Sequence, residues 1–250
     1  MLSMNSLRNK SRRAMAARMA VRMAVGLTVA TGWSVSRGEA AEVPAAAATA
    51  ASNEAEAGAN WQSLFDGKTL GPWKSTEFGG EGDVGVKDGA IALEFGAVLT
   101  GVTLDPAALP AGQELPRSNY EVRLEAQRVD GTDFFCGLTF PVKDKYCSLI
   151  VGGWGGTLVG LSSIDGEDAS ENQTRLSRGF KKGTWYRITV RVTDQRIQAW
   201  IDDERVIDQE LEGRSISIRP EVSLSKPLGV CAYQTRALLR NLQWRPAQAD

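Results

Sequence analysis

Carboxylates are the main candidates for acid–base chemistry in this chain, because its 250 residues include no histidine. A Ser-His-Asp triad, a Cys-His pair and a histidine-ligated zinc or iron site are therefore excluded. A general acid or base must then be a carboxylate or, less favourably, a tyrosine, cysteine or lysine. A Walker loop is excluded as well, because the glycine cluster at 152–156 is not followed by the Lys-Ser/Thr that such a loop needs.

Asp133 occupies a position where catalytic carboxylates often occur. It is the last residue of the Asp-Gly-Thr-Asp segment at 130–133 and directly precedes an apolar strand predicted over 134–140. It therefore lies at the start of a strand. The simpler role is turn formation with Gly131, and the residue pattern by itself favours that role.

Glu125 and Arg123 share the polar face of a strand predicted over 120–126, whose tyrosine, valine, leucine and alanine share the apolar face. Because both side chains point away from the core, they could form an ion pair with Arg187 or Arg191 on a neighbouring strand. They could instead line a groove.

The glycine cluster at 152–156 surrounds Trp154. Glycines inside a strand-rich region weaken a sheet and allow unusual backbone angles. One interpretation is a tight loop that presents Trp154, whose indole face could stack on a sugar ring. The alternative is a turn with Trp154 folded back into the core, since tryptophan is highly buried on average. The sequence leaves both open.

Oxygen-bearing side chains are dense over 162–172, a segment that ends at Asn172. Such a loop could bind calcium or hydrogen-bond sugar hydroxyls, although it lacks the spacing of an EF-hand loop. A solvated acidic loop is the simpler interpretation. No cofactor is therefore predicted, and calcium or another divalent metal is kept as an alternative.

Short strands are the elements that would position these side chains. From Trp61 onward, alternating apolar segments recur between glycine, aspartate and proline, and no long stretch keeps a helical period. The clearest hairpin joins 185–192 to 196–202, so that the apolar side chains of both strands share one face. About a dozen such strands without βαβ spacing predict an all-β sandwich or jelly roll of two sheets, with a barrel as the alternative. The proline-flanked stretch 106–116 could hold a short helix or an ordered loop.

The first sixty residues differ from the rest of the chain. Basic residues precede a mostly apolar run at 23–35 and small residues at 38–41, which predicts a signal peptide over 1–40. The run is shorter than the roughly 20 apolar residues of a membrane span, so cleavage is favoured over an uncleaved anchor. An alanine-rich linker is predicted over 41–59 and one domain over 60–246. The mature protein is therefore expected to be exported, to the periplasm or outside the cell.

The mature chain is acidic. Residues 1–40 contain seven basic residues and one acidic residue, so removing them leaves 22 basic and 29 acidic residues and a net charge near −7. Nucleic acid is therefore an unfavourable partner, because phosphates need a basic surface. The three cysteines, Cys136, Cys147 and Cys231, could include one bridge between Cys136 and Cys147, but small buried thiols are the favoured interpretation.

The sequence resembles the 3-keto-disaccharide hydrolase domain family, first catalogued as a domain of unknown function. The most specific motif is Ser-Leu-Phe-Asp-Gly-Lys-Thr-Leu at 63–70, followed by Trp73, and the strands at 120–127, 185–192 and 197–202 add to it. Further segments at 140–142, 152–156, 160–163 and 168–172 resemble a planctomycete-type subgroup.

The resemblance implies a concanavalin A-like jelly roll that acts on disaccharides or glycosides already oxidised at C3. A 3-keto group acidifies the C2 proton, so one base could expel the glycosidic oxygen, with water adding afterwards. By position in the family pattern, Asp133 and Glu125 are the expected catalytic carboxylates, and Arg123, Trp154 and Asn172 are expected to contact sugar. A noncatalytic carbohydrate-binding module, a structural surface domain and, ranked lower, a retaining glycosidase are the alternatives.

Overall fold

Alternating apolar residues form fifteen strands within residues 61–249, which are the residues that the structure, a computed structural model, describes. No α-helix occurs among them. The strands are β1 (Gln62–Ser63), β2 (Trp73–Ser75), β3 (Val84–Lys87), β4 (Ala90–Leu93), β5 (Leu99–Leu104), β6 (Tyr120–Gly131), β7 (Cys136–Val142), β8 (Lys145–Gly153), β9 (Leu158–Ser162), β10 (Leu176–Ser177), β11 (Trp185–Val192), β12 (Arg196–Ile201), β13 (Glu204–Glu210), β14 (Gly229–Tyr233) and β15 (Thr235–Pro246). Two 3-10 helices cover Pro106–Ala108 and Pro220–Ser225.

The strands make two antiparallel sheets. The eight-stranded sheet has the order β13-β12-β11-β6-β15-β4-β3, and β1 also pairs with β15. The seven-stranded sheet has the order β10-β9-β8-β7-β14-β5-β2. Many neighbours are far apart in sequence, such as β6 beside β15 and β7 beside β14, as in a jelly roll. This confirms the predicted all-β jelly-roll sandwich of two antiparallel sheets.

The core lies between the sheets and follows the period-two pattern of the sequence. In β11 and β12, Ile188 pairs with Ile201 and Val190 pairs with Ala199, and all four side chains are fully buried. Burying an isoleucine or valine side chain contributes about 1.5–3 kcal/mol, so the shared apolar face fixes the register of this pair. The hairpin predicted from the sequence is confirmed.

The outer face of the eight-stranded sheet is covered by charged and aromatic side chains. Glu121 forms an ion pair with Arg191 on β11 at 3.0 Å and accepts a hydrogen bond from Arg245 on β15 at 2.6 Å. The guanidinium groups of Arg123 and Arg245 lie 4.0 Å and 4.3 Å from the centre of the Trp61 ring. These contacts tie β1, β6, β11 and β15 together and cover this face.

The outer face of the seven-stranded sheet carries smaller residues. In β8 and β9, Leu149 and Leu161 point into the core, and Ser148, Ile150 and Ser162 alternate to the opposite face. This face is where the cleft described below is located.

All three cysteines are free and buried. Cys136 and Cys147 lie on the β7–β8 hairpin, but Cys136 pairs with Val151 and Cys147 with Phe140, so the two thiols are not opposite each other. Burial raises the pKa of Cys147 and that of Cys231 to about 12. The interpretation of small buried thiols is the one that the structure supports.

The proline-flanked stretch contains a short helix. The helix covers Pro106–Ala108. Asp105 is its N-cap, and the Asp105 carboxylate accepts a hydrogen bond from the Ala107 amide at 3.0 Å.

The predicted signal peptide and linker lie outside the described residues. Within residues 61–249, no helix has the length and apolar character needed to cross a bilayer.

Candidate functional site

A cleft of about 420 Å³ lies on the outer face of the seven-stranded sheet. One part of its lining is apolar: Val98, Leu99, Phe134, Ile150, Trp154, Val222 and Tyr233. The other part is polar: Asp133, Ser148, Ser162, Asp168, Arg219 and Glu221. Apolar walls with a few polar groups are typical of sites that bind small organic molecules.

Glycines on two strands leave room for the residues that pack on the sheet beside the cleft. A Cβ atom at Gly137 on β7 would lie 2.9 Å from Cε2 of Phe134, and one at Gly160 on β9 would lie 2.9 Å from the carbonyl oxygen of Ala169. Phe134 and Ala169 can therefore press on the sheet only because these positions lack side chains. Ile150 on β8, which pairs with both glycines, lines the cleft.

Trp154 is presented by the turn between β8 and β9. Its φ is +46°, the following Gly155 and Gly156 also have positive φ, and the residue is 45% exposed. Arg128, buried beneath the turn, donates from Nη2 to the carbonyl oxygens of Gly152 and Gly156 at 3.0 Å and 3.1 Å. Of the two interpretations of the glycine cluster, the loop that presents Trp154 is therefore the correct one.

Asp133 lies beside this turn and is half-buried. Its carboxylate accepts hydrogen bonds from the Phe134 amide at 2.8 Å and from the Gly155 amide at 3.4 Å. Its backbone is held by Thr235, whose hydroxyl donates to the Asp133 carbonyl oxygen at 3.2 Å. A carboxylate oxygen accepts more than one hydrogen bond, so both oxygens keep capacity for a ligand in the cleft.

An ion-pair network forms a charged wall. Arg219 contacts Asp168 through Nη1 and Glu221 through Nη2, each at 2.8 Å. The pKa of Asp168 would be raised by burial, but hydrogen bonds from Ser170 and the charge of Arg219 bring it below its ordinary value. The hydrogen bond from Arg219 likewise lowers the pKa of Glu221. Both carboxylates are therefore ionised and already paired.

The floor of the cleft contains hydroxyl groups. Ser148 and Ser162 are neighbours across β8 and β9, and each is 1% exposed. Ser148 shares a hydrogen bond of 2.8 Å with Thr139 on β7. The Oγ of Ser162 has no hydrogen-bond partner within the described part of the chain.

The family of the chain follows from its sequence match. Residues 60–245 match the 3-keto-alpha-glucoside-1,2-lyase-like domain. The chain belongs to this family. Members of this family are carbohydrate-active β-sandwich domains. The match confirms the family resemblance that the sequence motifs indicated. The planctomycete-type subgroup stays a prediction.

The solved structures to which the chain is similar are distant from it in sequence. A candidate glycosyl hydrolase from Parabacteroides distasonis is 13% identical, with a TM-score of 0.48, and covers 78% of this chain and 97% of that one. A carbohydrate-binding module from Bacillus subtilis is 14% identical, with a TM-score of 0.42 and coverage of 75% and 96%. Domain 4 of an extracellular arabinanase from Geobacillus stearothermophilus, in complex with arabinotriose, is 14% identical, with a TM-score of 0.45 and coverage of 72% and 84%. The search of curated proteins gave no match.

Two residues expected at the site of the lyase-like domain lie on the other sheet. Glu125 on β6 accepts hydrogen bonds from Arg240 at 2.7 Å and from Asn241 at 3.0 Å. Arg123 donates to Gln243 at 2.9 Å and stacks on Trp61. Neither residue lines the cleft, so the structure does not bring Glu125 together with Asp133.

Asn172 of the lyase-like domain organises the loop after β9. Its amide nitrogen donates to the carbonyl oxygens of Leu161, Glu167 and Asp168 at 2.7–3.1 Å. Its amide oxygen accepts from the backbone and side chain of Thr174 at 2.9 Å and 2.6 Å. The residue is buried, and these contacts use its amide fully, so a direct sugar contact by Asn172 would require this loop to rearrange.

The carboxylates of the 162–172 loop also have protein partners. Asp165 accepts hydrogen bonds from the Ser215 amide and from Arg214, at 2.8 Å and 2.7 Å, and Asp168 is bound by Arg219. Among residues 61–249, no group of three or more acidic or cysteine side chains is arranged to hold a metal ion. The loop of the lyase-like domain is thus ordered by ion pairs.

Sequence reasoning found Asp133 and Trp154 but missed Ser148, Arg219 and Tyr233 as members of one site. Ser148 does carry a usable signal, because it is a small polar residue at an outward position between apolar strand residues. Arg219 and Tyr233 carry no such signal, since the fold alone brings them to the cleft.

Proposed function

We propose that the mature domain is an exported enzyme that cleaves 3-keto-glycosides, including 3-keto-disaccharides, in this cleft. Support comes from the family match and from one observation in particular: a carboxylate, Asp133, and an exposed indole, Trp154, line the same cleft. Stacking on the indole would hold a sugar ring within reach of the carboxylate. Export is proposed from the N-terminal sequence alone.

The proposed reaction is an elimination followed by the addition of water. The C3 carbonyl acidifies the C2 proton, which Asp133 would remove as general base while the electron pair forms the enolate. The enolate then expels the glycosidic oxygen from C1, and the leaving alcohol takes up a proton. Elimination gives a C1–C2 double bond, and addition of water across it releases the 3-keto sugar.

Among the carboxylates of the cleft, Asp133 is the one held by backbone amides and not by Arg219. Asp168 and Glu221 each form an ion pair with Arg219, and the pKa of each is below its ordinary value, so both are weaker bases. The hydrogen-bond partners of the Asp133 carboxylate are the backbone amides of Phe134 and Gly155. These amides fix its orientation.

Arg219 is the cation of the cleft that could stabilise the enolate. The hydrogen bonds and charges of Glu221 and Asp168, acting against partial burial, raise the pKa of its guanidinium, so it stays charged. Oriented positive charge at a developing oxyanion is a large source of catalysis. Tyr233 and Phe134, whose ring centres are 5.8 Å apart, supply the apolar wall.

A noncatalytic carbohydrate-binding module is the second candidate. The observation that favours it is that Arg219 is already bound by two carboxylates, which reduces its ability to stabilise an enolate. Such a module needs the aromatic faces and hydroxyls of the cleft but no base. A purely structural domain would not account for the cleft.

The test compares cleavage of a panel of 3-keto-disaccharides with that of the corresponding unmodified glycosides, by release of reducing sugar and ketosugar. Asp133→Asn is expected to lose roughly 100-fold or more of the activity on keto substrates while remaining folded, since general-base catalysis contributes about 10²–10⁴-fold. Glu125→Gln is the matched control, because it neutralises a carboxylate on the other sheet, and it should keep the activity. A parallel series with chelator or added calcium tests the metal alternative.

Full activity of Asp133→Asn would refute the assignment of the base. If the wild-type domain binds these sugars in calorimetry but cleaves none of them, with or without a divalent metal, it is a binding module.

A further inference from the structure

The Ser162 hydroxyl is a buried polar group without a partner at the floor of the cleft. Its residue is 1% exposed, its Oγ makes no hydrogen bond to residues 61–249, and it lines the cleft. A serine hydroxyl offers one donor and two acceptor positions, and leaving them unpaired in a buried site is unfavourable. An alanine would avoid this cost at the same position.

The neighbouring hydroxyls do not satisfy Ser162. Ser148, its cross-strand partner, is bonded to Thr139 at 2.8 Å, and that bond uses only one of their two hydroxyl hydrogens. When Thr139 is the donor of that bond, the Ser148 hydrogen is available to a group in the cleft. Cross-strand partners have Cβ atoms about 4.5–5.5 Å apart, so a hydroxyl of a ligand can reach both serines.

The surrounding walls restrict what can reach this floor. Ile150 on the same strand is apolar, and Phe134 and Ala169 cover the glycine positions on either side. A ligand group that pairs with Ser162 must therefore be small, and it must both donate and accept hydrogen bonds.

We propose that Ser162, with Ser148, is the specificity subsite of the cleft and binds one hydroxyl group of the sugar ring. This inference rests on the proposed function, because it takes the ligand of the cleft to be a sugar. The subsite selects a sugar by the presence and orientation of that hydroxyl, since a ligand without it leaves the Ser162 hydroxyl unpaired. Ser162 is a binding residue here, and Asp133 remains the base.

The test uses methyl 3-keto-α-glucoside and its 2-deoxy, 4-deoxy and 6-deoxy analogues with the wild-type domain and Ser162→Ala. The variant should lose about 3- to 10-fold in kcat/KM on the parent sugar, mainly through KM, as expected for one neutral hydrogen bond. On the analogue that lacks the bound hydroxyl, wild type and variant should be equal. An equal loss on all four sugars, or no loss on any, would overturn the inference and leave the proposed function standing.

Two further variants make the comparison specific. Ser225→Ala removes an equally buried hydroxyl that does not line the cleft, and it should behave like wild type on every sugar. Ser162→Cys keeps the size of the side chain but replaces the hydroxyl with a weak donor, so it should repeat the Ser162→Ala pattern. It also replaces Ser162→Ala if that variant does not fold.

Failure of the proposed function is recognised separately. If the wild-type domain cleaves none of the four sugars, their affinities are measured by calorimetry. Weaker binding of the parent sugar by Ser162→Ala, with equal binding of one deoxy analogue, supports the subsite without catalysis. Equal affinities for all four sugars, or no binding by the wild-type domain, overturn it.

Discussion

Arg128 determines the shape of the turn that presents Trp154, and its replacement is therefore a direct test of how the cleft is built. The side chain is 5% exposed, and its Nη2 donates to the carbonyl oxygens of Gly152 and Gly156. Its guanidinium carbon lies 5.1 Å from the centre of the Phe135 ring. Arg128→Met keeps an unbranched chain that can pack on this ring, but it removes both hydrogen bonds and leaves two carbonyl oxygens without their donor.

The size of the effect follows from two opposing contributions. A hydrogen bond from a charged donor contributes about 1.5–3 kcal/mol, so the two bonds together represent about 3–6 kcal/mol. Burial of the guanidinium opposes them: burial lowers the pKa of Arg128, although the nearby Asp133 carboxylate raises it. Methionine relieves this desolvation cost. We expect Arg128→Met to lower the free energy of unfolding by about 2–3 kcal/mol.

Urea unfolding followed by tryptophan fluorescence measures this change. With a urea dependence of about 2 kcal/mol per molar, the midpoint should fall by about 1–1.5 M. Arg128→Lys is the matched control. It keeps the charge but lacks the planar guanidinium, so its urea midpoint should lie between those of the wild-type domain and Arg128→Met. The loosened turn should also weaken sugar binding by Arg128→Met. A midpoint equal to that of the wild-type domain would refute the role assigned to Arg128.

Three further outcomes are expected. Glu125→Gln should lower the free energy of unfolding by no more than about 1 kcal/mol in urea titrations, because its ion pair with Arg240 is partly exposed, and a larger loss would contradict this. Asp168→Asn should be less stable than wild type at about pH 7, and urea titrations at decreasing pH should show this difference shrinking: the folded pKa of Asp168 is below its unfolded value, so its contribution is lost as pH falls through the folded value. Reagents for free thiols should leave all three cysteines unmodified in the native protein and modify them in urea, because burial keeps the thiols protonated; rapid reaction of the native protein would contradict their burial.

The strand pattern was predictable from the sequence because side chains alternate with a period of two. The Ile188–Ile201 and Val190–Ala199 pairs in the β11–β12 hairpin follow from that pattern and from a short turn. The sandwich follows too, since many short strands without helices can bury their apolar faces only against a second sheet. Trp154 was a candidate because glycines around a large residue allow a turn that presents it, but the sequence left open a turn with Trp154 in the core.

The position of Glu125 shows what the pattern does not contain. Alternation places Glu125 on an outer face, but each of the two sheets has an outer face, and the residue pattern does not indicate which one carries a cleft. The structure places Glu125 beside Arg240, on a face covered by ion pairs.

The sequence alone therefore determined the fold class, the apolar face of each main strand and the chemistry that the chain lacks, because these depend on local residue types and spacing. Only the tertiary structure decided which polar residues share a site. Asp133, Ser162, Arg219 and Tyr233 line one cleft although up to 100 residues separate them in the chain, because strand order in the sheets determines their proximity.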